Sequence, residues 1–137
     1  MNNSSQTPFV MVVFGATGDL MHSKLMPALF KLYEEKKLPR KFFIVGFARR
    51  PLTDGEFRKM FNVNEDFAKN LFYQQGLFEK GQGYKKLIAR LESFDKEIGA
   101  CITRFFYLAT PPRNYETILD NIVATKLDES CGPESDK

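Results

Sequence analysis

Three unbroken apolar runs punctuate the chain: Val10-Met11-Val12-Val13-Phe14, Phe42-Phe43-Ile44-Val45 and Phe105-Phe106-Tyr107-Leu108-Ala109. None alternates with polar residues, and each is rich in β-branched or aromatic side chains, the pattern of strands buried on both faces of a parallel sheet. The segments between them have helical spacing. Leu25, Leu29, Leu32 and Tyr33 fall on one helical face. Pro27 complicates the start of that helix, because proline is tolerated only in a first turn. Either the helix begins near Ser23, or a short opening turn at residues 19–22 is kinked and then continues.

The connection over residues 50–103 is too long for one crossover helix. Thr53-Asp54-Gly55-Glu56 has the form of a capping box and predicts a helix carrying Phe57, Met60 and Phe61. A second helical piece is expected to carry Phe67, Leu71 and Phe72. A turn over 76–83 precedes a helix with Leu87, Leu91, Phe94 and Ile98 on one face. Tyr115, Ile118, Leu119, Ile122 and Val123 mark a last helix. This order predicts an α/β fold, a Rossmann-like parallel sheet with helices on both faces. The sheet is expected to be incomplete, with the first three strands in the order 3-2-1 and the first strand at an edge. Three stretches follow: a disordered N-terminus at 1–8, a nucleotide-binding half at 9–127, and a polar linker or truncated loop at 128–137.

Composition narrows the function classes. The 137 residues carry a net charge of +3, and the 14 Phe with no Trp are core material. Basic residues fall in short groups separated by acids, not in the dense stripe that a nucleic-acid surface requires. No apolar stretch approaches the roughly 20 residues of a membrane span. Cys101 and Cys131 suggest neither a disulfide framework nor a zinc site, so no metal is expected and a reduced, cytoplasmic setting is the default.

The most informative segment is Gly15-Ala16-Thr17-Gly18-Asp19-Leu20, which follows the first strand and leads into the first helix. Ligands in open α/β sheets bind at the carboxyl ends of strands. Glycines there let the chain turn sharply and let backbone approach a pyrophosphate, with the helix-start N–H groups facing the anion. An ordinary strand-to-helix turn is the alternative; the strand before and the helix after favour dinucleotide binding. After the second strand comes Gly46-Phe47-Ala48-Arg49-Arg50, with no acid between Phe42 and Arg50. An acid at that position would hydrogen-bond the ribose of NAD, whereas an arginine accommodates the 2′-phosphate of NADP. The sequence therefore favours NADP, against a reading of Arg49 as a solvated loop residue.

These residues resemble one family, glucose-6-phosphate dehydrogenase. The resemblance rests on Gly15 through Met21, on Lys24-Leu25-Met26-Pro27, on Ile44-Val45-Gly46-Phe47-Ala48-Arg49, and on Phe106-Tyr107-Leu108-Ala109-Thr110-Pro111-Pro112 with Tyr115. It runs from about Phe9 to Ile122 with order and spacing kept. It implies that Gly15, Ala16, Thr17, Gly18, Asp19, Leu20, Met21 and His22 form the diphosphate loop. Arg49 becomes the 2′-phosphate partner, and Tyr115 and Lys24 match cofactor-contacting positions. The alternatives are a core role for Tyr115 and a solvated helix lysine at Lys24. Met21 stands where the family has a small residue and is expected to narrow the loop's clearance. His22 and Ser23 stand where the family often has basic residues, and His22 is expected to be a partly exposed histidine, not a base.

The resemblance implies the NADP-binding part of an enzyme that oxidises glucose 6-phosphate to 6-phosphogluconolactone, in the oxidative branch of pentose phosphate metabolism. The family's general base and sugar-phosphate groups lie in segments beyond those present here, so no catalytic residue is assigned and the chain alone is expected to be inactive. Glucose 6-phosphate and a homo-oligomeric state are expected only of a full-length protein. Two other readings stand beside it: a free-standing NADP-binding regulatory module without turnover, and a different dehydrogenase or sugar-nucleotide enzyme.

Overall fold

The computed structural model describes residues 7–129; the linker expected at 128–137 and the N-terminal stretch at 1–8 fall largely outside them. The three apolar runs are strands: β1 (Phe9–Phe14), β2 (Phe42–Ala48) and, third, Thr103–Leu108. A further strand, β3 (Leu71–Gln75), lies between β2 and that last one, which is therefore β4. All pairings are parallel, and the sheet order is β3-β2-β1-β4.

Two expectations are corrected by this topology. Leu71 and Phe72 belong to a strand, not a helix. Their spacing from Phe67 fits a helical face, but a short apolar run does not distinguish the two states. In β3 the side chains alternate, with Leu71 and Tyr73 buried on one face and Phe72 half-buried on the other. The sheet therefore has four strands, and the expected 3-2-1 order with β1 at the edge is replaced. The helix α4 (Gly81–Ile98) carries the chain from β3 back across the sheet, so that β4 pairs with β1 on the side opposite β2. β1 is internal.

The first helix answers the question raised by Pro27. Helical backbone opens at Asp19, widens into a π-helical turn at Met21–Leu25, and continues as α1 (Met26–Glu34). Proline lacks an N–H, and its ring crowds the carbonyl four residues back. The π-turn relieves that register by moving one bond to a five-residue span, from Met26 N–H to Met21 O. Leu29 is buried as expected, while Leu32 is exposed.

Thr53 and Glu56 make the predicted reciprocal cap on α2 (Asp54–Arg58), and Asn64 caps α3 (Glu65–Ala68). α1, α2 and α3 cover one face of the sheet, where Phe42, Phe57, Phe67 and Tyr73 are buried together. α4 and α5 (Tyr115–Thr125) cover the other, where Phe43 stacks on Phe94 with centroids 4.1 Å apart. The many phenylalanines fill these two layers. Of the predicted apolar face of α5, Ile118 and Ile122 are buried but Leu119 and Val123 are exposed. Cys101 is disulfide-bonded, where the sequence suggested a reduced thiol. Among the described residues no helix is long and apolar enough to cross a membrane, and no cluster of His, Cys, Asp or Glu suits a metal ion.

Candidate functional site

Four loops leave the carboxyl ends of the four parallel strands and enclose a cleft of about 990 Å³. It lies where the chain diverges from β1 to neighbours on both sides, the switch point at which open α/β sheets bind ligands. Gly15 makes the turn out of β1. Its φ is +89°, and a Cβ there would stand 2.5 Å from Ala109 O at the end of β4. Its N–H donates to Phe47 O at 2.8 Å, while Ala109 N–H donates to Phe14 O at 2.8 Å. The loop is thus drawn between the ends of β2 and β4, and no side chain fits at this position.

Gly18 differs. Its backbone needs no glycine, and a Cβ would meet only Gly15 O, at 3.5 Å. The fold would tolerate a side chain there. What glycine leaves is bare backbone on the floor of the cleft, at the start of a helix whose first N–H groups have no partner within the helix. That arrangement fits the diphosphate of a dinucleotide, which requires close backbone approach and unpaired N–H donors.

Seven of the sequence-predicted residues line the cleft: Gly15, Thr17, Gly18, Asp19, Leu20, Arg49 and Tyr115. Four do not. Ala16 and Met21 are buried in the core beneath the loop. Met21 therefore packs inward and is not part of the cleft lining. His22 is exposed, with its ring 5.8 Å from that of Phe61. Lys24 is exposed on the same turn, outside the lining.

The structure adds two segments that the sequence reading did not single out as lining. The loop Gly76–Glu79 follows β3, and its Phe78 carbonyl accepts from Tyr84 Oη at 2.8 Å and from Asn121 Nδ2 at 3.0 Å. Burial, with Glu79 nearby, holds the Tyr84 hydroxyl in its protonated, donating form. Finding this loop required finding β3, since the rule that sites form at strand ends applies only to recognised strands. Opposite it, Asn114 Nδ2 donates to Thr110 Oγ1 at 2.6 Å and closes the turn that aims the start of α5, with Tyr115 and Arg113, at the cleft. Arg49, Arg50 and Arg113 outnumber Asp19 and Glu79 along the lining, a field that suits an anionic ligand.

A parallel sheet in the order 3-2-1-4, with a glycine loop at its switch point, defines the class of dinucleotide-binding α/β domains. The comparisons narrow this. Residues 12–135 match the family model described as glucose-6-phosphate dehydrogenase, NAD binding domain. The chain is similar to glucose-6-phosphate 1-dehydrogenase of Chlamydia pneumoniae, 40% identical over 91% of this chain and 28% of that protein. The Caenorhabditis elegans enzyme is 33% identical, over 96% of this chain and 26% of its own length. A solved structure, glucose-6-phosphate dehydrogenase in complex with its substrate glucose-6-phosphate, superposes with a TM-score of 0.81 at 29% identity, covering 91% of this chain and 29% of the other. The Mycobacterium avium enzyme, at 22% identity and a TM-score of 0.74 over 88% of this chain and 28% of its own, shares the fold. The chain belongs to the glucose-6-phosphate dehydrogenase family, in the region of its nucleotide-binding domain. It spans just over a quarter of the length of these curated relatives.

Proposed function

We propose that this chain binds NADP+ in the cleft and is the coenzyme-binding part of a glucose-6-phosphate dehydrogenase, which oxidises glucose 6-phosphate to its 6-phospho-lactone. The observation that carries the choice of cofactor is the end of β2. Arg49 and Arg50 are exposed at the cleft there, and the strand supplies no acid to hold an unphosphorylated ribose. In this reading the loop from Gly15 to Leu20 receives the diphosphate, with the helix-start N–H groups of Asp19 and Leu20 as donors while those of Gly15 and Gly18 hold the loop itself. The Arg49 guanidinium takes the 2′-phosphate as a charged, forked donor. Family resemblance assigns Tyr115, which lines the cleft, to cofactor contact and Lys24 to cofactor positioning near the nicotinamide end. The chemistry the cofactor supplies when bound is acceptance of a hydride; this chain's residues bind and orient it. The domain boundaries of this reading are 9–127. A homo-oligomer for a full-length protein belongs to the same proposal.

Titration of the chain with NADP+ and NAD+, in wild type and Arg49→Ala, tests it. A charge-assisted bond is worth about 1.5–3 kcal/mol, so the variant should lose roughly ten- to a hundredfold in NADP+ affinity with little change for NAD+. Equal losses would remove Arg49 from the 2′-phosphate. The same chain should form no NADPH from glucose 6-phosphate.

A further inference from the structure

We infer that Tyr73 and Gln75 are positioning residues for 2′-phosphate recognition: from β3 they fix the backbone out of which Arg49 and Arg50 reach the cleft. The inference rests on the reading of Arg49 given above. Three successive carbonyls at the end of β2 accept hydrogen bonds from β3 and the residue that follows it. Ala48 O accepts from Gly76 N–H at 2.9 Å, Arg49 O from Gln75 Nε2 at 3.0 Å, and Arg50 O from Tyr73 Oη at 2.7 Å. Only the first belongs to the backbone ladder, whose last register pair is Ala48 with Gln75. Past that pair the chain bends out of the sheet, and side chains continue the ladder's work. Tyr73 and Gln75 are two apart, so both project on the same face of β3, the one toward which this bend turns.

Tyr73 is itself held. It is buried, its N–H donates to Asp54 Oδ1 at 2.8 Å, and Asp54 pairs with Arg90 at 3.1 Å. Burial pushes its hydroxyl up to about 12 against the opposing charge of Arg50, which keeps it a donor at every physiological pH. Among the described residues neither Arg49 nor Arg50 makes an ion pair. The backbone is thus fixed while the guanidinium groups stay available, so less ordering remains to be done when a phosphate arrives.

The experiment measures binding of 2′,5′-ADP and 5′-AMP, which differ only in the 2′-phosphate, to the full chain. Wild type, Tyr73→Phe, Gln75→Ala and Arg49→Ala are compared, with melting temperatures alongside. Losing one such bond should weaken 2′,5′-ADP about threefold to tenfold and leave 5′-AMP unchanged. Gln75 is exposed, so Gln75→Ala keeps the test alive if Tyr73→Phe folds poorly. If Arg49→Ala is selective but the β3 variants weaken both ligands equally, or lower only the melting temperature, the inference is overturned and the reading of Arg49 stands. If Arg49→Ala also leaves the ratio unchanged, both fall together.

Discussion

The two edges of the sheet are built differently. At β3 the groups that point away from β2 are met by side chains: Arg58 Nε donates to Leu71 O at 2.7 Å, and Asp54 Oδ1 accepts the Tyr73 N–H. The guanidinium of Arg58 also lies 5.1 Å from the centre of the Phe72 ring. At β4 the only charged side chain turns inward. Arg104 donates to the carbonyls of Leu127 and Glu129 and pairs with Asp95 at 3.4 Å, tying the end of α5 to α4. Phe105 and Tyr107 on its other face are 49% and 37% exposed. The β3 edge, next to the end of β2 from which the arginines reach the cleft, is closed by polar side chains, which is how a sheet edge is protected from pairing with another chain. The lesson is that rigidity has been placed where phosphate recognition is proposed.

Breaking the closed edge should have the largest effect. Leu71→Ala opens a cavity under β3 at a fully buried position and should destabilise the chain by about 2–5 kcal/mol, read from urea unfolding. A loss well below that range would mean that β3 is not integral to the core.

Alkaline titration sharpens the comparison. Burial raises Tyr73 from 10.0 to about 12 in the folded chain, with Arg50 acting the other way. A tyrosine whose folded value lies above its unfolded one favours the folded state below pH 10, and that contribution is lost as pH rises from 10 to 12. Ionisation also removes the donor to Arg50 O, so the β3 edge should loosen in this window. The urea midpoint should fall between pH 10 and 12, less steeply in Tyr73→Phe. Tyr84 shifts in the same direction and contributes to the decline that remains in that variant. Identical slopes in the two proteins would exclude a contribution from Tyr73.

At the open edge the expected effect is smallest. Phe105 is half exposed, with its ring centroid 5.7 Å from that of Phe9. Phe105→Thr keeps a strand-forming side chain and should change stability by about 1 kcal/mol or less, while reducing self-association in light scattering. A loss as large as that of Leu71→Ala would show that the two edges are energetically alike.

The contrast between edges also explains what could be read in the sequence. Unbroken apolar runs mark β1, β2 and β4 because strands buried in a parallel sheet carry no polar alternation. β3 escapes because only Leu71, Phe72 and Tyr73 are apolar before two glutamines, and these residues continue the helical spacing of Phe67. Missing it misplaces β1 at an edge and hides the Gly76–Glu79 wall of the cleft. The places of the glycine loop and Arg49 at the cleft were legible because they follow directly on the apolar runs of β1 and β2, whereas Tyr115 was singled out by family resemblance. The burial of Met21 was not legible, since a residue on a loop-to-helix turn meets the core only through the packing of that turn on the sheet. Nor were the bonds from Tyr73 and Gln75, which exist only through the pairing of Ala48 with Gln75 across the sheet.

The central claim is that one cleft at the β1–β4 switch point takes the dinucleotide and that the end of β2 reads its 2′-phosphate. Backbone amide shifts of the labelled chain, titrated with NADP+ and then with NAD+, test it most directly. Both ligands should perturb Gly15 to Leu20 and Tyr115, with the difference between them concentrated at Arg49 and Arg50. Perturbations centred elsewhere, or maps that do not differ at those two arginines, would contradict the account.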